Sequence, residues 1–141
     1  MSEIFPYELR YWYPHMMPAD VKLWERFIAK FPNAYDSVEY DVKVGSRPPF
    51  NTIVSPETGG DSINLYRRKI DVVGFRGASI DIIELKPRAG TGAIGQIVGY
   101  AKLYTREFNP PEPVNRLIIT DQLLPDMEFL ASSAGVKLVV V

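Results

Sequence analysis

The stretch Arg68-Lys-Ile-Asp-Val-Val-Gly-Phe-Arg-Gly-Ala-Ser-Ile-Asp-Ile-Ile-Glu-Leu-Lys86 constrains this chain more than any other part of it. Two apolar runs, 70–75 and 80–85, flank Arg76-Gly-Ala-Ser79. A short Gly-containing connection between β-rich runs predicts a hairpin. With those four residues as the turn, Phe75 pairs with Ile80, Val73 with Ile82, and Asp71 with Glu84. Directly opposed residues project from one face, with Cβ atoms about 4.5–5.5 Å apart. Lys86, two residues beyond Glu84, projects from that face too, and Asp81 from the other. The shared face is otherwise apolar, through Val73, Phe75, Ile80 and Ile82, so the charges stand at the end of a hydrophobic surface. Two carboxylates held together repel unless something positive lies between them. Hard oxygen ligands at this spacing suit Mg²⁺ or Mn²⁺.

The rest of the composition narrows the setting. A chain of 141 residues with 46% apolar content supports one domain, 1–141, with a real core. The net charge of −1 gives no global attraction to nucleic acid, so any such contact needs a local basic patch. The absence of cysteine removes disulfides, thiolate metal sites and cysteine nucleophiles together. No apolar run approaches the ~18–20 residues of a membrane span. No basic segment precedes an apolar one at the N-terminus, so no signal peptide is expected and the cytoplasm is the expected location.

Along the chain, residues 1–18 form an aromatic and Met-rich arm, expected to pack on the domain or on a partner subunit and open to a homo-oligomer or larger assembly. Residues 19–31 predict a helix with a stripe of Val21, Trp24, Phe27, Ile28 and Phe31. Residues 37–44 alternate cleanly, placing Val38, Tyr40, Val42 and Val44 on one face of a half-buried strand. Residues 45–64 are Pro-, Gly- and Ser-rich and predict a long loop, with Arg47–Asn64 a candidate cover for a substrate. After the hairpin, 93–108 is helical, with Thr91 a candidate N-cap and Ile97, Ala101, Tyr104 and Phe108 a core-facing stripe. Gln96 and Tyr100, four residues apart, share another face. Gly95 and Gly99 beside them suggest close approach of a backbone or ligand. A buried strand at 116–120, a short helix at 125–133 with Pro at its first position, and a strand at 136–141 complete the order αβββαβαβ. That order predicts an α/β domain, a mixed sheet flanked by helices.

Asp71, then Glu84-Leu85-Lys86, then Gln96-Ile-Val-Gly-Tyr100, in this order and with these short gaps, resembles the PD-(D/E)XK nuclease superfamily, in particular its RecB-like branch. The resemblance covers roughly residues 19–108. Ile70 stands where the motif name has proline, as is common in that branch. The resemblance implies a restriction-endonuclease-like core. It implies that Asp71, Glu84 and the Leu85 carbonyl hold a divalent metal, with Glu25 of the first helix as a further candidate. It implies that Lys86 orients or activates the attacking water, and that Gln96 and Tyr100 contact the site or the nucleic-acid backbone.

Phosphodiester hydrolysis needs an activated water and a neutralised non-bridging oxygen, which a carboxylate-held metal supplies. A neighbouring lysine can stabilise the transition state. Arg67, Arg68 and Lys69 before Asp71, with Arg88, Lys102 and Arg106 near the later motifs, form the local basic patch that phosphate contact needs. The expected function is Mg²⁺- or Mn²⁺-dependent hydrolysis of nucleic acid, DNA in particular. The alternative is a nuclease-fold assembly or nucleic-acid-binding component with weak or no cleavage. The lone histidine, His15, is expected to be a packing or surface residue.

Overall fold

The computed structural model describes residues 3–46 and 67–141. Most of the expected 45–64 loop, including the candidate cover from Arg47 to Asn64, lies outside the described residues. The elements run β1 (Ile4–Pro6), α1 (Pro18–Lys30), β2 (Ser37–Val44), β3 (Arg68–Arg76), β4 (Ser79–Leu85), α2 (Thr91–Phe108), β5 (Val114–Thr120), α3 (Met127–Ser133) and β6 (Lys137–Val140). The expected order αβββαβαβ holds, with a short edge strand added in front. The strands form one six-stranded sheet in the order β1-β2-β3-β4-β5-β6. The β1 to β4 neighbours are antiparallel, while β4, β5 and β6 run parallel. Parallel neighbours need a crossover, and α2 and α3 supply the two.

The hairpin register is the expected one: Phe75 faces Ile80, and Val73 faces Ile82. Its turn is shorter than expected. Arg76 pairs with Ser79, leaving only Gly77 and Ala78 as the connection. Gly77 has φ 52°, a positive value at the first central position, as a II′ turn requires and as glycine adopts without a Cβ penalty.

Two cores lie on the two sides of the sheet. On one side α1 buries Leu23, Trp24, Phe27 and Ile28 against Val38, Tyr40, Val72, Ile83 and Leu85. Trp24 Nε1 donates to the Tyr40 hydroxyl at 2.9 Å, so its polar atom is satisfied inside this core. On the other side α2 buries Ala93, Ile97, Ala101 and Tyr104 against Val42, Ile70, Ile80, Ile82 and Ile118, with Met127 and Ala131 of α3 beside them. Burying a Leu- or Ile-sized side chain contributes roughly 1.5–3 kcal/mol. Both helices are therefore held mainly by these stripes rather than by their ends, where no side chain caps the first turn.

Several details differ from the sequence expectation. The four alternating residues of β2 are all buried, but Val38 and Tyr40 join the α1 side while Val42 and Val44 join the α2 side. Asp41 between them has φ 52°, which rotates the strand at that point. Its pairing strand shifts in step: Ile70 packs on the α2 side, Val72 on the α1 side, with Asp71 between. Gly90, not Thr91, occupies the N-cap of α2, and Phe108 at its far end is exposed. Among the described residues, a Cβ at Gly95 or Gly99 would meet nothing within 4 Å, so neither glycine serves a close approach to them. Helix α3 starts at Met127 rather than Pro125, because Asp126 takes a left-handed φ of 64°.

Gly74 is where a glycine is needed. A Cβ there would stand 2.6 Å from the ring of Tyr35, which lies across it. The N-terminal arm packs on the domain: Phe5 and Tyr7 meet the α1-side core, Tyr13 is buried, and β1 pairs with β2. Leu9, Tyr11, Trp12 and Met17 remain exposed. No helix among the described residues is long and apolar enough to cross a membrane.

Candidate functional site

Among the described residues, the buried polar side chains are Thr120 and Glu84. Thr120 is accounted for: its hydroxyl accepts the Ala89 N–H at 2.9 Å and ties the segment after β4 to β5. Glu84 is not. It is 9% exposed, and its Oε2 is buried without a hydrogen-bond partner among the described residues. Leaving a buried polar atom unsatisfied costs roughly 1–3 kcal/mol, more for a charge.

The neighbour of Glu84 is Asp71. The β3–β4 ladder runs from Arg76–Ser79 to Val72–Ile83. Beyond Val72–Ile83 the ladder ends and a side-chain contact replaces it: Leu85 N–H donates to Asp71 Oδ2 at 2.9 Å. Burial pushes the Glu84 carboxyl far above the usual carboxylate range. The Asp71 charge and a proton shared with Asp71 add to the rise. Asp71 is also raised, again by burial, although the shared proton, the Leu85 N–H and the Lys86 ammonium oppose it. The pair is short of positive charge.

Other groups converge on this pair. Lys86 is exposed just past β4, anchored by its N–H on the Ile119 carbonyl at 2.9 Å, and its ammonium favours the ionised form of both carboxyls. Tyr100 is half-buried on α2. Its hydroxyl pKa is raised by burial and then by Glu84, while Arg68 opposes the rise. Gln96, one turn earlier on the same helix, is exposed and makes no hydrogen bond among the described residues. From the other layer comes Asp20, in the first turn of α1, raised by burial and by Asp71. Glu25, the expected acid of this helix, is engaged elsewhere: its Oε2 accepts from the Tyr13 hydroxyl at 3.3 Å. Asp41 also raises Asp71, and it is itself paired with Lys43 at 2.8 Å, with the His15 ring at 4.0 Å.

Asp20 and Asp41 were not singled out from the sequence. Asp20 follows Pro18, which marks a helix start, so its first-turn placement was legible. No signal announced that this turn lies over the hairpin end. The positive φ that aims Asp41 is likewise invisible in sequence.

The chemistry of the cluster fits a divalent cation. Asp71, Glu84 and the Leu85 carbonyl offer hard oxygen donors, and Glu84 Oε2 has no hydrogen-bond partner among the described residues. Among the described residues, no three His, Asp or Glu side chains gather closely enough to hold a metal by themselves. A full shell there needs backbone oxygen, water or phosphate, which is the usual habit of Mg²⁺.

The basic residues divide into two groups. Arg67 is engaged, pairing with Glu107 and donating to the Gly45 carbonyl at 3.0 Å. Arg68 and Lys69 are exposed at the start of β3. Arg88 is exposed two residues beyond Lys86, its N–H held by Asp121 at 2.8 Å. Lys102 and Arg106 are exposed on α2.

A six-stranded mixed sheet flanked by helices is a restriction-endonuclease-like α/β fold. The fold is similar to that of a repair endonuclease from Pyrococcus abyssi, with a TM-score of 0.50 and 16% sequence identity. The match covers 85% of this chain and 46% of that one, so the chain spans less than half of its neighbour's length. No protein-family profile matches the sequence, and neither does any curated protein sequence.

Proposed function

We propose that the chain is a metal-dependent nuclease of the RecB-like type, hydrolysing nucleic-acid phosphodiester bonds, DNA in particular. One observation carries the reading: a glutamate oxygen buried without a partner against a second buried carboxyl, at the end of a hairpin in a nuclease-like fold. A structural pair would be neutralised by a cation of the chain. Here the nearest ammonium, that of Lys86, leaves both carboxyls raised.

Asp71 and Glu84, with the Leu85 carbonyl, would hold Mg²⁺ or Mn²⁺. When bound, the ion neutralises a phosphate oxygen and makes a water more acidic. Lys86 is exposed on the same side and donates to the phosphate or holds the attacking water. Tyr100 keeps its proton at neutral pH, because burial and Glu84 both raise its pKa, so it acts as a hydrogen-bond donor. Asp20 stands where it can take a water of the metal's shell. Arg68, Lys69 and Arg88 are exposed and ion-paired with no described residue, so they can meet flanking phosphates.

That no three-side-chain ligand group stands among the described residues favours the second reading, a nuclease-fold nucleic-acid-binding or assembly component. The exposed aromatics of the arm suit such assembly. Incubation with linear, circular and single-stranded DNA and with RNA, in Mg²⁺, Mn²⁺ or chelator, separates the two. Metal-dependent cleavage that disappears in Lys86→Ala supports the nuclease. Retarded nucleic acid with no product under any condition supports the binding component instead.

A further inference from the structure

A cleft of about 590 Å³ opens on the α1 side of the sheet, between the end of α1 and the starts of β4, β5 and β6. None of the carboxylate-site residues lines it. Its size falls in the range of sites that take small molecules. One wall is aromatic. Phe31, 38% exposed, leans on Phe27 with ring centroids 5.1 Å apart, and Tyr35 stands beside them. Leu117 and Val139 of β5 and β6 give an aliphatic side.

The charge of the cleft is unbalanced. Its acid, Asp81, is fully engaged: the Tyr35 hydroxyl donates to it at 2.7 Å and the Asn115 amide at 3.1 Å. Arg76, Arg116 and Lys137 line the same cleft, and none is ion-paired with a described residue. Arg116 gives one N–H to the Ala134 carbonyl at 3.1 Å and keeps the rest of its guanidinium for other acceptors. Arg116 also lines a shallower depression of about 350 Å³ with Lys102 and Arg106, so the positive charge continues around the sheet edge. Another cation, Lys30, stands 5.7 Å from the centre of the Phe31 ring.

An aromatic face beside a run of uncompensated cations is what an unpaired nucleotide needs: a surface for the base and donors for the phosphates. We propose that this cleft anchors one unpaired nucleotide of the substrate strand, its base against Phe31 and its phosphate among Arg76, Arg116 and Lys137. The ligand class rests on the nuclease reading. The cleft lies on the opposite face from Glu84 and three residues back along β4, roughly 10 Å away by strand rise. A strand held there would pass around the sheet edge before reaching the carboxylates, which favours single-stranded or flapped substrates over closed duplex.

Binding of thymidine monophosphate and of a six-residue oligothymidylate to the full chain in excess chelator tests this, followed by backbone amide NMR shifts. Inorganic phosphate serves as the control. The expected result is that both thymidine ligands shift the amides of Asn33, Tyr35 and Asn115. The exposed pair Arg76→Ala with Lys137→Ala should weaken the oligonucleotide about tenfold, the effect of losing charge-assisted contacts. Phe31→Ala should weaken the thymidine ligands and leave phosphate unchanged. No shifts in the cleft overturn the inference, as do equal affinities for phosphate and thymidine monophosphate. Because chelator is present, cleavage plays no part in the result. A protein that binds here yet cuts nothing with metal removes the nuclease reading, whereas one that cuts without binding here removes only this anchor.

Discussion

Asp81 and Glu84 stand three residues apart on β4 and face opposite layers. The two ends of the strand treat a carboxylate in opposite ways. At the Asp81 end, a tyrosine hydroxyl and an asparagine amide each donate to one oxygen. The Tyr35 ring that delivers the hydroxyl lies on Gly74, where no side chain intrudes. At the Glu84 end, one oxygen has no partner, the nearest neighbour is another carboxyl, and the nearby cation sits on an exposed, flexible stem. Folding has completed the first environment from the chain's own groups and has left the second open. The first acid is satisfied by the fold; the second is left unsatisfied, which makes it a candidate for ligand binding.

The largest effect that could break this comparison concerns Lys86. As a transition-state donor it should be worth about 10²–10³-fold in cleavage. Lys86→Ala should lose that activity and still gain stability from Mn²⁺. Cleavage at the wild-type rate would reduce Lys86 to a surface residue.

The carboxylates themselves should respond with opposite signs. Without metal at neutral pH, Glu84→Gln should be more stable than the wild type by about 1–3 kcal/mol, because the amide offers Asp71 a donor without the proton uptake that burial of Glu84 requires. Asp81→Asn should be less stable by about 1 kcal/mol, because it turns a donor toward Asn115. The pH dependence follows from the raised pKa values of Asp71 and Glu84. A carboxyl that holds its proton more tightly when folded stabilises the fold fully below the unfolded value, near pH ~4. That contribution is lost as pH rises toward the folded value. The advantage of Glu84→Gln should therefore grow from acid to neutral pH in chemical denaturation, and a constant gap would contradict it.

Sequence reasoning saw the faces of this strand more clearly than its surroundings. Period-two alternation places Glu84 and Asp81 on opposite faces of β4, because pleating decides that, but it breaks on β3 at Asp71, where Ile70 packs on one side and Val72 on the other. The same rule failed on β2, where a single left-handed residue, Asp41, turns the strand between two cores. Glu25 flanks the apolar stripe of α1, yet it is Asp20 of that helix whose charge acts on both carboxyls. Which end of α1 overlies the hairpin depends on tertiary placement. The engagement of Arg67 by Glu107, forty residues distant, was hidden for the same reason.

Smaller effects sharpen the contrast. Gly74→Ala should destabilise by about 1–3 kcal/mol, since the new methyl overlaps the ring that positions the Asp81 donor. Normal stability would mean that Tyr35 yields easily. Among the cations, Arg67→Ala should cost at most about 1 kcal/mol for a partly exposed pair and leave DNA binding unchanged. Arg68→Ala should leave stability unchanged and lower the salt slope of DNA binding by about one. The reverse pattern would exchange their roles.

Thermal melting with excess Mn²⁺ and with chelator, on the wild type, Glu84→Gln and Asp81→Asn, tests the central claim most directly. The account predicts that the wild type and Asp81→Asn both gain stability from the metal, about 2.7 kcal/mol at a hundredfold excess over the dissociation constant. Glu84→Gln should gain little. A full metal response in Glu84→Gln, or none in the wild type, would mean that the unpartnered glutamate is not a metal ligand.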